Sequence, residues 1–247
     1  MTLKKFFEQN PKAAIAFSGG VDSSYLLSEA VRLGADVKAY CVHSEFQPAF
    51  ELGDARRAAE QAGAELEIIE LSVLGDDDIT SNPEDRCYHC KRRIMGAIKE
   101  TALADGYELI LDGTNASDDA DDRPGMRALA EFEIRSPLRE CGITKDEVRE
   151  GARAAGLDVW DKPAYACLAT RIPTGEEITE AKLKSTEKAE SIMYDMGFRD
   201  FRVRWRGHCG LVQVTADQYE EALDREQEIQ TALGRYYDYI EIDENTR

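Results

Sequence analysis

Two cysteines, Cys87 and Cys90, lie close together in the polar segment PEDRCYHCKRR. A C-x-x-C pair can form a disulfide switch, provide half of a zinc site or ligate an iron–sulfur cluster. It can also be two thiols without function at the start of a helix. A closed zinc site needs four ligands and His89 lies between the pair, so zinc is disfavoured.

The other four cysteines have different surroundings. Cys41 lies in an apolar run and is expected in the core, whereas Cys141 and Cys209 lie beside glycines in polar turns, where we expect no chemistry. Cys167 lies in the irregular segment YACLATRIP, close to Arg171, whose guanidinium would favour the thiolate. Without a recognisable secretion signal, metal binding or catalysis is favoured over a disulfide framework.

The segment AFSGGVDSS joins a predicted strand to a predicted helix through two glycines. Gly19 and Gly20 allow a tight turn in which several backbone N–H groups and the positive end of the helix point at one place. Ser18 and Ser23 add hydroxyl donors. The segment matches neither the Walker A ending nor G-x-G-x-x-G, so it predicts a phosphate-binding loop of another kind.

Polar residues also follow two other predicted strands. Thr114 and Asn115 come after Gly113, and Ser44 follows the second strand. Ligands of parallel α/β sheets bind at the carboxyl ends of the strands, so these residues are predicted to line the ligand site, with Gly113 allowing close approach. Arg123 is a cation in an acidic loop, where it would bind phosphate or else neutralise its neighbours.

Strands that alternate with helices must position these residues. The segments KAAIAF, VKAYCVHS, ELEIIEL, YELILDGT and EIRSPL are predicted strands, and helical patterns separate most of them. This alternation predicts an α/β fold with a parallel sheet and helices on both faces. After Gly156 the segment LDVWDKPAYACLATRIPTGEEIT lacks a clean period and is predicted to be an ordered loop, and a small α+β domain follows it.

The composition excludes several classes of protein. The chain has 247 residues and a formal net charge of −18, which repels a phosphate backbone and argues against a nucleic-acid partner. No apolar run is long enough to cross a bilayer, so we expect a cytoplasmic protein without a membrane partner. The acidic surface is typical of a salty cytoplasm, although an ordinary acidic protein is the alternative.

The form S-G-G-x-D-S resembles the PP-loop of the ATP pyrophosphatase superfamily, whose enzymes transfer AMP to a carboxylate or carbonyl oxygen. The resemblance implies that the loop holds the β- and γ-phosphates of ATP and that Asp22 lies near Mg²⁺ and takes part in catalysis. The implied ATP-binding residues are Ser18, Gly19, Gly20, Asp22, Ser23, Ser44, Gly113, Thr114, Asn115 and Arg123.

Further motifs resemble one branch of this superfamily. SGGVDSS, DRCYHCK, DGTN, RPGMRAL, SPL, ACLATRIPTGEEIT and FRVR occur in the order found in LarE-type sulfurtransferases. Those enzymes make the nickel-pincer nucleotide cofactor of lactate racemase by adenylating a carboxylate of pyridinium biscarboxylic acid mononucleotide and replacing its oxygen with sulfur. The resemblance implies a small-molecule nucleotide substrate and a homo-oligomer.

The predicted domain limits follow from the change in pattern after Gly156, and the resemblance implies the roles of the domains. Residues 1–157 would form the PP-loop domain, residues 158–178 a linking active-site loop, and residues 179–247 a small domain for substrate binding and oligomerisation.

The substrate's phosphate needs a local cationic site in so acidic a protein. Arg171, Arg202 and Arg204 are the candidates, together with Thr170, which stands where the family usually has Ser. Arg202 and Arg204 alternate on one predicted strand and therefore face the same side, and arginine suits bidentate phosphate contacts. A polar strand face that offsets nearby acids is the alternative.

The resemblance implies two possible sources of sulfur. In one, Cys167 gives up its own sulfur and becomes dehydroalanine. In the other, three cysteines hold a [4Fe–4S] cluster and leave one iron without a protein ligand. Sacrificial members need only the equivalent of Cys167, so the presence of Cys87 and Cys90 favours a cluster on these three cysteines, with an unknown sulfide donor.

The sequence leaves three other functions open. A tRNA-thiolating PP-loop enzyme also uses three cysteines, but the net charge of −18 argues against RNA. An ammonia-using ligase would not need Cys87, Cys90 and Cys167 together. A zinc-stabilised module would bind nucleotide without turnover. The predicted activity is therefore ATP-dependent sulfur transfer that forms AMP and pyrophosphate.

Overall fold

The computed structural model describes residues 1–118, 124–163 and 165–247. The chain folds into two compact units: the first contains Met1–Val73 and Asp85–Ala164, and the second contains Leu74–Glu84 and Tyr165–Arg247. The domain limits that we derived from the sequence stay a prediction.

Helices and strands alternate along the described part of the chain. The strands are β1 (Lys12–Ala16), β2 (Asp36–His43), β3 (Glu65–Glu70), β4 (Ile110–Leu111), β5 (Arg202–Arg206), β6 (Cys209–Gln213) and β7 (Tyr239–Ile242). The helices are α1 (Leu3–Gln9), α2 (Val21–Arg32), α3 (Ala49–Ala62), α4 (Asp77–Thr80), α5 (Arg86–Ala104), α6 (Pro124–Glu131), α7 (Pro137–Glu140), α8 (Lys145–Ala154), α9 (Glu180–Asp195), α10 (Tyr219–Asp224) and α11 (Glu226–Leu233). Short 3₁₀ turns span Asp158–Asp161, Leu168–Arg171 and Ala216–Gln218.

The first unit is built on a parallel sheet, which confirms the predicted α/β fold. Within the described residues the strand order is β3-β2-β1-β4. Alternate residues of β1 enter two hydrophobic cores: Ala13 and Ile15 pack with residues of α1, α2, α3 and α8, and Ala14 packs with residues of α5 and α6. Because helices cover both faces, β1, β2 and β4 are apolar along most of their length.

The predictions of the fourth and fifth strands are largely wrong. The predicted strand YELILDGT is reduced to β4, and the segment EIRSPL contributes a single bridge between Leu111 and Arg135. Ser136 then becomes the N-cap of α7, and Pro137 occupies its first turn. Proline lacks the N–H that a strand ladder requires but is well suited to the first turn of a helix.

The second unit is a small α+β structure, as predicted. Strand β6 pairs antiparallel with β5 and parallel with β7. Their apolar residues pack with α9 and α11. The predicted C-terminal helix is interrupted at Arg225, which caps α10 and donates to the carbonyl of Met196 at 2.9 Å.

One smaller expectation is also wrong, because Cys209 does not lie in a polar turn but begins β6 and is buried. The Asp76 carboxylate accepts from the backbone N–H of Asp78 and caps α4. Cys41 is buried in the core, as expected.

None of the described helices has the combination of length and apolar character that is needed to cross a bilayer.

Candidate functional site

The loop between β1 and α2 is a tight turn held by its own hydroxyl groups. The Ser23 hydroxyl donates to the carbonyl of Gly20 at 3.2 Å and accepts from the backbone N–H of Ser18 at 3.3 Å. Gly19 has φ +70°, and a Cβ at this position would lie 2.6 Å from Cα of Ala55 in α3. Only glycine fits this backbone, as the sequence predicted.

Asp22, in the first turn of α2, is contacted by two residues that are distant in sequence. Nζ of Lys145 lies 2.5 Å from Asp22 Oδ2, and the Asn115 side-chain amide donates to Asp22 Oδ1 at 3.0 Å. The structure therefore brings the predicted residues Asp22 and Asn115 together and adds Lys145. This lysine begins α8 directly after the capping residue Thr144, and no motif in the sequence indicates it.

Asp112 fixes the segment that carries Asn115. Its buried carboxylate accepts from the hydroxyls of Thr114 and Ser136, each at 2.6 Å. The backbone N–H of Lys145 donates to the Ser117 hydroxyl at 3.0 Å, which ties the start of α8 to the same segment. The Thr114 hydroxyl, which was predicted to contact the ligand, thus donates a hydrogen bond to Asp112.

Gly113 is needed for close packing between two parts of the site. A Cβ at Gly113 would lie 2.7 Å from the backbone N of Ser23 and 3.0 Å from the carbonyl carbon of Asp22. The sequence predicted a close approach to a ligand at this glycine. The structure shows a close approach to the backbone at the start of α2, and the contact with a ligand stays a prediction.

Ser44 and Arg123 are the remaining predicted ATP-binding residues. Ser44 is buried, and its hydroxyl donates to Gln47 Oε1 at 2.7 Å and accepts from the backbone N–H of Phe46 at 3.3 Å. Its hydrogen bonds thus close a local turn after β2. Arg123 lies outside the described residues.

Cys87 and Cys90 lie one turn apart in the first turns of α5, so that both side chains lie on the same face of the helix. Cys87 is exposed and Cys90 is partly buried. The buried guanidinium of Arg86 lies 3.7 Å from the Cys87 sulfur and also over the ring of Phe46, 5.8 Å from its centroid.

The chemistry of this pair fits a thiolate-ligated metal, because soft sulfur donors suit iron–sulfur clusters. Among the described residues, no three His, Cys, Asp or Glu side chains lie close enough together to hold a metal ion.

In the second unit, Cys167 immediately precedes the 3₁₀ turn Leu168–Arg171 and is partly exposed. The backbone N–H and the hydroxyl of Thr170 both donate to the Cys167 carbonyl, at 3.0 and 2.8 Å. Nη1 of Arg171 donates to the carbonyl of Ala166 at 2.9 Å. Thr170 and Arg171 therefore fix the backbone on both sides of the cysteine.

Glu190 of α9 anchors this loop and was not predicted. It accepts from Arg171 Nε at 2.8 Å and Nη2 at 3.1 Å, from the Tyr165 hydroxyl at 2.6 Å and from the Val203 N–H at 3.0 Å. Arg171 is 1% exposed, and its guanidinium donates its hydrogen bonds to other groups of the protein. A single glutamate within a long helix carries no signal in sequence that would distinguish it.

Arg202 and Arg204 of β5 lie beside this loop. Arg202 is buried, with its guanidinium over the Tyr165 ring, 5.2 Å from the centroid. Arg204 donates from Nη1 to the Thr170 carbonyl at 2.9 Å and from Nε to Gln213 Oε1 at 3.3 Å. The structure thus brings together the predicted substrate residues Thr170, Arg171, Arg202 and Arg204.

The arginines in this part of the second unit repel one another. Burial, followed by the charges of Arg171 and Arg247, lowers the pKa of Arg202 to about 10. The same causes, in the same order, lower the pKa of Arg204. The cluster therefore carries positive charge that an anionic ligand would stabilise.

Comparison with known proteins identifies the family. The family model for asparagine synthase matches residues 4–103, which include the phosphate loop. A pyridinium-3,5-bisthiocarboxylic acid mononucleotide synthase of Lactiplantibacillus plantarum is 32% identical over 86% of this chain and 78% of its own length. The chain belongs to the LarE-type family of PP-loop ATP-dependent sulfurtransferases.

Other relatives of this LarE-type enzyme include an uncharacterized protein of Synechocystis sp., 38% identical over 89% of the chain and 82% of its own length. The tRNA-specific 2-thiouridylase MnmA of Thermobifida fusca is 30% identical, over 60% of the chain and 50% of its own length. Membership of an ATP-using PP-loop family implies ATP and Mg²⁺, which agrees with the anion-binding geometry around Ser18–Ser23.

Proposed function

We propose that this enzyme adenylates a carboxylate of pyridinium-3,5-biscarboxylic acid mononucleotide and replaces its oxygen with sulfur, in the synthesis of the nickel-pincer nucleotide of lactate racemase. The similarity to the synthase of L. plantarum supports the choice of substrate. The observation that carries the proposal is the contact of Lys145 and Asn115 with Asp22 beside the glycine turn, because adenylation needs fixed charges around a departing pyrophosphate.

Adenylation makes an unreactive carboxylate into a good acyl donor. A substrate carboxylate oxygen attacks the α-phosphorus of ATP, and the bond between this phosphorus and the oxygen bridging to the β-phosphate breaks, so that pyrophosphate leaves. Backbone N–H groups at Gly19 and Gly20, the start of α2 and Lys145 stabilise the charge on the pyrophosphate. Asp22 would hold Mg²⁺ near the same phosphates. A sulfur nucleophile then attacks the acyl carbon, and AMP leaves.

The proposed sulfur carrier is a [4Fe–4S] cluster held by Cys87, Cys90 and Cys167. Such a cluster would supply an iron without a protein ligand, to which an additional sulfide can bind. The two thiols on one face of α5 support Cys87 and Cys90 as ligands, whereas the choice of Cys167 as the third ligand rests on the family resemblance of its segment. In the alternative, Cys167 itself is the source of the sulfur.

The substrate's phosphate is proposed to bind Arg202 and Arg204. Thr170 and Arg171 support them by shaping the loop that carries Cys167. The proposed partners are a small-molecule nucleotide and further copies of this chain, in the cytoplasm and without nucleic acid. The similarity to tRNA 2-thiouridylases makes tRNA thiolation the alternative to test.

The activity can be tested with anaerobically purified enzyme, ATP, Mg²⁺ and the pyridinium substrate. We expect AMP and pyrophosphate only when the substrate is present. Lys145→Ala should lower kcat/KM about 100-fold, as expected for losing one group that stabilises developing charge. Lys5→Ala, which removes an exposed lysine of the same unit, should have no effect. Release of ADP, or turnover with tRNA in place of the pyridinium substrate, would contradict the proposal.

The sulfur source can be tested separately by iron and sulfide analysis and by visible absorption. The cluster predicts brown protein whose absorption is lost in Cys87→Ala, whereas Cys141→Ala should retain it. Colourless protein that makes thiocarboxylate while Cys167 loses the mass of H₂S would instead establish sacrificial transfer.

A further inference from the structure

Two arginines of the second unit approach the same carboxylate oxygen. Arg247 Nη2 lies 3.0 Å from Asp200 Oδ1, and Arg202 Nη1 lies 3.7 Å from that atom. Both arginines are fixed from another side. The Arg202 guanidinium lies over the Tyr165 ring, and the backbone N–H of Arg247 donates to the carbonyl of Val214 at 3.0 Å.

Asp200 is the partner that can move most readily. Its side chain is 39% exposed, whereas that of Arg202 is 6% exposed. Asp200 lies in the bend before β5 and has φ +48°, a conformation that is uncommon for residues other than glycine. Rotation of its short side chain would place the carboxylate in water, while Arg202 would have to leave buried surroundings.

The local charge favours an anion with more charge than a carboxylate. The charge of Arg247 acts on both Arg202 and Arg204, and Asp200 and Asp243 are among the acids that offset these three guanidinium groups. An aspartate carries a single negative charge. A phosphate monoester carries close to two near neutral pH and presents three oxygens, so it could contact several guanidinium groups at once.

We propose that Asp200 occupies the position of the substrate's phosphate until substrate binds, and that Arg247 then joins Arg202 and Arg204 in holding the phosphate. The inference rests on the proposed function, because it assumes that Arg202 and Arg204 bind the nucleotide substrate. Asp200 would set specificity, since a ligand must bind more strongly than this internal carboxylate to displace it. Monoanions would therefore be excluded.

Inorganic phosphate is a suitable probe for this competition, with titration calorimetry at pH 8 and constant ionic strength. Removing the competing carboxylate in Asp200→Asn should tighten phosphate binding about twofold to fivefold, the range expected for one partly exposed ion pair. Asp195→Asn removes the same charge from an exposed position of the same unit and controls for the change in net charge. Its affinity should be that of the unaltered protein.

Arg247 is tested in the same way. Arg247→Met should weaken phosphate binding about tenfold through the loss of one charge-assisted contact. Arg235→Met, which removes an exposed arginine of the same unit, should not. In the double variant Asp200→Asn/Arg247→Met the two effects should not add, because both residues act on one site.

The outcomes separate this inference from the proposed function. If Asp200→Asn behaves like its control while Arg204→Met weakens phosphate binding, the inference is wrong and the proposed phosphate site stands. If Arg204→Met also leaves phosphate binding unchanged, the proposed substrate site is wrong as well. Circular dichroism of each variant verifies that the second unit is folded.

Discussion

At the scale of single residues, the phosphate loop and its surroundings require glycine at two positions. Gly19 and Gly113 each lie where a Cβ would contact backbone, at Ala55 and at Ser23 respectively. Backbone cannot rotate away as a flexible side chain can. These two glycines therefore set the distances at which the loop, α3 and the segment carrying Asn115 pack together.

Gly113→Ala should lower the free energy of unfolding by about 1–3 kcal/mol, because the added methyl group overpacks the start of α2. It should also reduce ATP-dependent turnover, since Asp22 and Ser23 would shift. Gly53→Ala is the matched control: its Cβ would lie 3.6 Å from the Arg57 guanidinium, so it should be neutral or stabilise α3 by up to about 1 kcal/mol. Urea denaturation measures both, and equal midpoints would contradict the prediction.

Cys41 should make the protein less stable in alkali. Burial, followed by the charge of Glu51, raises the pKa of its thiol to about 11. In the unfolded chain the thiol ionises near pH 8.5, so above that pH the unfolded state loses a proton that the folded state keeps. The unfolding free energy should therefore fall as pH rises from about 9 towards 11, by at most about 1.4 kcal/mol per pH unit.

Replacing Cys41 removes this contribution. Cys41→Val should show a shallower loss of stability between pH 9 and pH 11 in urea denaturation. Parallel curves for Cys41→Val and the unaltered protein would show that Cys41 does not contribute.

At the scale of elements, α9 holds the loop that carries Cys167. Glu190 accepts from Arg171, Tyr165 and the backbone of β5, so one carboxylate joins a helix, a loop and a strand. Arg171 is fully enclosed, and its charge would be left unpaired without this partner. Breaking a buried ion pair from one side costs much more than losing an exposed one.

Glu190→Gln should therefore lower the unfolding free energy by about 3–5 kcal/mol. Glu180→Gln in the same helix removes an exposed pair with Lys184 and should cost less than about 0.5 kcal/mol. Denaturation measures the difference, and limited proteolysis should show earlier cleavage within Tyr165–Arg171 in Glu190→Gln only. Similar stability of the two variants would mean that the anchoring role is wrong.

At the scale of the whole molecule, the net charge of −18 destabilises the compact state through repulsion among its acids. Salt screens exposed charges, and at 1 M the screening length falls to about 3 Å. We expect the free energy of unfolding to rise by about 1 kcal/mol or more between 0.1 M and 2 M KCl. Urea denaturation at each salt concentration measures this.

A variant with fewer acids is the control for screening. Neutralising the exposed residues Asp195, Asp224 and Glu244 together should reduce the dependence on KCl. An unchanged dependence would indicate that KCl acts other than by screening these charges.

Patterns between neighbouring residues determined the fold class, because helix and strand periods, capping residues and glycine turns act over a few positions along the chain. They were enough to predict the parallel sheet and the turn at Ser18–Ser23. They failed at EIRSPL, where one apolar pattern suits a strand but Pro137 begins a helix.

The tertiary structure alone decided which side chains meet. Lys145 contacts Asp22 across 123 residues of sequence, and Glu190 reaches Arg171 from another element. Such pairs depend on how elements pack, and packing is set by the cooperative burial of many apolar side chains rather than by any local pattern. For this reason the motif at Asp22 could be found in the sequence, whereas its partner Lys145 could not.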